Sequence, residues 1–70
     1  MGWTAIKSSN LDMVRYDKDK NTLHIIFANG SEYQYKEVSI QRYNSFLSAE
    51  SKGKYFHLNI KDKYESKRIV

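Results

Sequence analysis

Apolar and polar residues alternate along the first half of the chain and then recur at helical spacing. Trp3 to Lys7 alternates and reads as an edge strand, ended by the turn chemistry of Ser8-Ser9-Asn10. Met13 to Tyr16 resumes a strand with Val14 and Tyr16 on one face. Asp17 to Asn21 is a charged hairpin loop in which Asp17 and Asp19 act as turn formers. Thr22 to Phe27 is dense in β-branched and aromatic residues and is the strongest strand signal. Asn29-Gly30 marks a hairpin, and Glu32 to Lys36 alternates again, so Tyr33 and Tyr35 share a face. After Val38 the period changes. Ile40, Tyr43 and Leu47 recur at helical spacing with Phe46 beside them, Ser39 supplies an N-cap, and the helix ends near Ala49. Ser51-Lys52-Gly53 opens a second helix, with Tyr55, Phe56, Asn59 and Ile60 on one side. A short basic tail runs from Lys63 to Val70. A three-stranded antiparallel meander, with an N-terminal edge strand beside it and one or two helices after it, defines an α+β domain spanning residues 1–70.

The hairpin admits two registers. A two-residue Asn29-Gly30 loop sets Tyr33 and Tyr35 on the face opposite Leu23, Ile25 and Phe27, as an aromatic binding face. A three-residue loop with a bulge moves them to the same face, as core, because a one-residue slip inverts every side chain. A helix covers only one face, and these are large apolar groups, so the core register is favoured. The expected core is Leu23, Ile25, Phe27, Tyr43 and Leu47.

Composition narrows the function. Seventy residues leave little room for an enclosed pocket, and there is no cysteine for a disulfide or a thiolate metal site. His24 and His57 are far apart in sequence, so no zinc site and no cofactor are expected. No apolar run is long enough to span a membrane, and Met1 to Lys7 lacks the pattern of a signal peptide, which makes the cytoplasm the expected location. Charge is uneven. Six basic and six acidic residues cancel through Ser51, whereas six basic residues face two acidic ones from Lys52 onward, giving the net +4. A cationic C-terminal segment suits an anionic partner or simply keeps the surface solvated.

The candidate site follows that charge. Lys52, Gly53, Lys54, Tyr55 and His57 start the second helix, with Lys61, Lys63, Tyr64, Lys67 and Arg68 beyond it. Glycine at a helix N-terminus admits a phosphate to backbone N–H groups, lysines add charge, and tyrosines offer stacking faces for bases. The plainer reading makes Gly53 a turn residue and Tyr55, Phe56 and Ile60 core, which outweighs ligand contact for the aromatics. Tyr33 and Tyr35 form a second candidate as a stacking platform, against the same core alternative. No convergent Ser-His-Asp pattern is present, so a non-catalytic role is expected.

Several runs carry a family resemblance: Ser8-Ser9-Asn10-Leu11, Tyr16-Asp17, Phe27-Ala28-Asn29-Gly30, Tyr33-Gln34-Tyr35, Ser51-Lys52-Gly53-Lys54-Tyr55-Phe56, Ile60-Lys61 and Lys63-Tyr64. In that order they resemble the KTSC family, found at the C-terminus of some lysyl-tRNA synthetases and as stand-alone bacterial and phage proteins. The family often carries a proline after the valine corresponding to Val38. Here Ser39 stands there and starts the helix as a cap. The resemblance implies an RNA-binding role by context. The expected function is therefore a binding module for a phosphate-bearing partner, RNA first. The alternatives are a phage-type anti-defence protein that sequesters a small cyclic nucleotide or blocks a bacterial protein, and a protein–protein adaptor using a sheet edge. Oligomerisation is compatible with each, and no membrane partner is expected.

Overall fold

The computed structural model describes residues 2–70, so the part of the leader reading that rests on Met1 lies outside it. Five antiparallel strands lie in chain order across one sheet: β1 (Thr4–Ala5), β2 (Leu11–Asp17), β3 (Thr22–Phe27), β4 (Glu32–Tyr35) and β5 (Ser66–Arg68). Helices α1 (Ile40–Ser48) and α2 (Lys52–Asn59) interrupt the meander between β4 and β5. The α+β class, the meander and both helices match the pattern in the sequence. The edge strand is shorter than Trp3–Lys7, and the tail supplies a fifth strand that the pattern does not show.

The hairpin takes the core register. Ile25 pairs with Tyr33 and Leu23 with Tyr35, so the two tyrosines share the face of Leu23 and Ile25. The loop is Ala28-Asn29-Gly30. Phe27 N–H donates to the Ser31 carbonyl at 2.8 Å, and Gly30 N–H donates to the Phe27 carbonyl at 2.9 Å. Gly30 has φ +90°, the left-handed conformation that a three-residue hairpin loop needs at its last position. A register shift between Leu11 and Met13 marks a bulge that turns Leu11 inward with Val14 and Tyr16.

Both helices contribute to the core on that same face. Phe46 of α1, Phe56 of α2 and Ile60 join Leu11, Val14, Leu23, Ile25 and Tyr35. Each fully buried Leu, Ile or Phe contributes about 1.5–3 kcal/mol of transfer energy. The Ser39 hydroxyl accepts from Arg42 N–H at 3.1 Å and starts α1 as expected; the Ser51 hydroxyl accepts from Lys54 N–H at 3.4 Å and starts α2. Leu23 and Ile25 are fully buried, whereas Phe27, Tyr43 and Leu47 are half-buried against the cluster. Ile40 departs from its expected place on the buried face of α1. It is exposed, because Phe46 and not Ile40 centres the stripe facing the sheet. The opposite sheet face carries Met13, Arg15, His24, Ile26 and Gln34 and has no helix over it. No helix is long and apolar enough to cross a membrane among the described residues.

Candidate functional site

The sheet and α2 meet imperfectly at one end, and a cleft of about 430 Å³ remains between them. Its floor is aromatic. Phe56 lies edge-on to Phe27 and Tyr35, with ring centroids 5.5 and 5.4 Å away, and Tyr33 stacks on Tyr35 at 6.4 Å. His57 and Lys61 line it from α2 and the turn that follows, Asn10 and Ser31 from loops, and Ser66 from β5. Burial pushes the Tyr35 phenol up to about 12, helped by the neighbouring Tyr33 and Asp62. Tyr35 is therefore a neutral hydrogen-bonding group at any physiological pH.

Hydroxyl partners divide five of the six tyrosines. Tyr16 donates to the Val38 carbonyl at 2.6 Å. Tyr55 and Tyr64 accept from the Nη1 and Nε of Arg42 at 3.0 and 3.3 Å. Tyr33 and Tyr35 line the cleft, and their hydroxyls have no hydrogen-bond partner among the described residues.

A second, polar groove of about 310 Å³ adjoins the cleft, with Asn10 and Gly53 lining both. Lys7, Lys52 and Lys54 stand along it, opposed by Glu50 alone among acidic residues. Gly53 lies here for a reason of packing. A Cβ on it would come within 2.7 Å of the Ser8 Oγ, so the absent side chain lets the Ser8 loop close on the first turn of α2. Two of the runs that carry the family resemblance, Ser8 to Leu11 and Ser51 to Phe56, thus meet at this contact.

The structure brings together Tyr33, Tyr35, Gly53, His57 and Lys61 in the cleft, with Lys52 and Lys54 in the adjoining groove. Lys52 is partly engaged, since its ammonium donates to the Ala49 carbonyl at 3.2 Å and caps the end of α1. Tyr55 and Tyr64 do not line the cleft; they accept from Arg42 and so tie α1 to α2 and to the segment after it, and those bonds raise the guanidinium pKa further. Lys63 is exposed outside both grooves, and Arg68 lies on β5 opposite Tyr33 with its Nε donating to the Val70 carbonyl. Lys67 lies opposite Gln34. Sequence reasoning missed Asn10, Ser31, Asp62 and Ser66 as lining residues, and Arg42 as the clamp. None sits in a motif that signals chemistry. Asn10 and Ser31 share only their place in turns that close on one another, where Ala28 N–H donates to the Asn10 carbonyl at 2.8 Å.

A small meander sheet with two helices on one face and an open aromatic cleft defines a domain of α+β class. Residues 7–64 match the family model described as the KTSC domain, and the chain belongs to that family. The crystal structure of a KTSC domain protein from Yersinia pestis is similar over 99% of this chain and 97% of its own, at 34% identity and a TM-score of 0.92. An uncharacterised protein of Stutzerimonas stutzeri is 32% identical over 53 residues, which cover 76% of this chain and 75% of that protein. A lysine–tRNA ligase of Trichormus variabilis is 36% identical over 55 residues, 79% of this chain. The chain spans about a tenth of that ligase, 10% of its length.

Proposed function

We propose that this domain binds RNA without catalysing a reaction, taking an unpaired base into the aromatic cleft while the adjoining lysines meet its phosphates. One observation carries the reading. Tyr33 and Tyr35 present hydroxyls without protein partners at a cleft edged by His57 and Lys61, next to a groove lined by Lys7, Lys52 and Lys54. A base stacks on an aromatic face for about 1–3 kcal/mol whatever its identity, and lysines follow the backbone as point charges. The cationic C-terminal segment and the relative named as a tRNA ligase support the same reading.

The test is a fluorescence-anisotropy titration of labelled single-stranded RNA at several salt concentrations. Lys54→Glu with Lys61→Glu is expected to weaken binding by at least ~2 kcal/mol, the scale of a few lost charge-assisted hydrogen bonds. Lys52 is left intact because it caps α1. Lys18→Glu with Lys20→Glu makes the same charge change at the β2–β3 turn and is expected to retain most of the affinity. Affinity is expected to fall steeply with salt through counterion release. Equal loss in both double variants would reduce the effect to overall charge and sink the site. Weak salt dependence with one mononucleotide per domain would point instead to a small nucleotide ligand, and no binding of either would favour a protein partner.

A further inference from the structure

The RNA reading leaves one residue of the cleft unexplained. Asp62 is the single acidic side chain among those lining it, beside Lys61 and His57. Among the described residues it makes no ion pair; the one such pair joins Lys36 to Glu65. No side-chain hydrogen bond to it is present either, so Asp62 is not held there by a structural partner within the fold. A carboxylate beside a phosphate-binding groove opposes the phosphate by Coulomb repulsion. It favours a ligand only through N–H donors set against its oxygens, since an ionised carboxylate accepts and never donates.

The four RNA bases differ in that respect. Guanine carries N1–H and the N2 amine side by side, and two adjacent donors match the two oxygens of one carboxylate. Adenine and cytosine offer one amine beside a ring acceptor, which the second carboxylate oxygen repels. Uracil offers one N–H between two carbonyls, the poorest match. Lys61, next to Asp62 in the chain and lining the same cleft, can supply a donor for the O6 of guanine, a position where adenine carries an amine instead. The aromatic floor itself does not discriminate, because it accepts every base.

Resting on the RNA reading, we propose that Asp62 makes the cleft selective for an unpaired guanine, accepting from N1–H and the N2 amine while the base lies against the aromatic floor. Asp62 is exposed, and its side chain makes no hydrogen bond or ion pair among the described residues, so its replacement is a test of recognition; the urea midpoint of the variant checks that stability is retained.

The experiment titrates the protein into labelled uridine oligonucleotides that carry one central guanosine, adenosine, cytidine, uridine or inosine. Wild type is expected to bind the guanosine oligonucleotide about tenfold more tightly than the all-uridine one, the scale of one bidentate base contact. Inosine lacks the N2 amine and is expected to fall between them. Asp62→Asn keeps the shape but replaces one acceptor by a donor; it is expected to abolish the guanosine preference and to leave all-uridine binding equal or tighter. Equal binding of all five oligonucleotides by wild type, or a preference that survives Asp62→Asn, would overturn the guanine assignment while leaving RNA binding standing. Failure of every oligonucleotide to bind wild type would overturn the RNA reading, and this inference with it.

Discussion

The Tyr16 phenol donates a 2.6 Å hydrogen bond to the backbone carbonyl of Val38, joining β2 to the entry of α1. The Asn21 side-chain oxygen lies 3.2 Å from the same hydroxyl, and Val38 N–H donates to the Asn21 carbonyl at 2.8 Å. The β2–β3 turn and the β4–α1 junction are thereby fastened at one point. Tyr43 of α1 covers it, stacked on Tyr16 with ring centroids 4.6 Å apart. Burial, and then the charge of Asp17, raises the Tyr16 pKa, so the phenol stays a donor.

Tyr16→Phe keeps the ring and removes the donor. It leaves the buried Val38 carbonyl without this partner and is expected to lower stability by about 1–3 kcal/mol. The urea midpoint measures it. A midpoint equal to that of wild type would show that the bond contributes nothing net.

Gly53 and Ser8 are coupled by their close approach. In a helix interior Gly→Ala gains about 0.8–1 kcal/mol of propensity, and Gly53, the second residue of α2, can realise part of that. In wild type the new methyl would meet Ser8 Oγ at 2.7 Å, so much or all of that gain is lost. With Ser8→Gly in place, Gly53→Ala is expected to recover its full stabilisation. A double-mutant cycle by thermal or urea unfolding reads the coupling, and additive effects would contradict it.

Gly30→Val is expected to cost more than ~1 kcal/mol, because a β-branched side chain resists the left-handed backbone there. The φ of +90° places the strain at Gly30 itself. Retention of the wild-type melting temperature would argue against this turn.

His24 gives a pH dependence of defined sign. It is buried on the helix-free sheet face, edge-on to Trp3 with ring centroids 6.4 Å apart, and its Nδ1 has no hydrogen-bond partner. Desolvation, and then the charge of Arg15, lowers its pKa below the ordinary value of 6.5. The folded state therefore resists protonation that the unfolded chain accepts. This contribution is complete above the unfolded pKa, falls as the pH drops through it, and levels off below the folded pKa. The stability of wild type relative to His24→Gln is expected to decline as the pH falls through the ordinary histidine value of 6.5. A difference independent of pH would contradict this.

Much of the fold was legible because its residues obey one local period at a time. Thr22 to Phe27 reads as a strand from its own chemistry, and Ser39 and Ser51 announce both helices. Leu11 escaped because a bulge breaks the period of two between it and Met13. Ile40 misled because an apolar residue at the right spacing looks the same whether it faces the sheet or water. Ser66-Lys67-Arg68 carries no apolar signal at all; its backbone pairs with β4, a fact of tertiary structure. The cleft was half legible. The lysines and glycine at the start of α2 stood out by charge and type, and Tyr33 and Tyr35 by alternation. Of the two readings of the tyrosines the core register is the one adopted, with Tyr35 buried in the core cluster, and both residues also line the cleft from that same face. Asp62 was hidden by bookkeeping of charge, where it only subtracts from a basic tail. The Tyr55 and Tyr64 hydroxyls look free in the sequence, and only the fold reveals Arg42 between them.

The central claim is that RNA occupies the cleft between the sheet and α2. NMR chemical-shift mapping of the isotopically labelled protein, titrated with single-stranded RNA, tests it most directly. The account predicts that the largest shifts gather at Tyr33, Tyr35, Gly53, His57 and Lys61, with the aromatic resonances of Tyr33 and Tyr35 moving upfield under a stacked base. Shifts centred on Arg15, His24 and Gln34 of the opposite sheet face, or no shifts at saturating RNA, would contradict it.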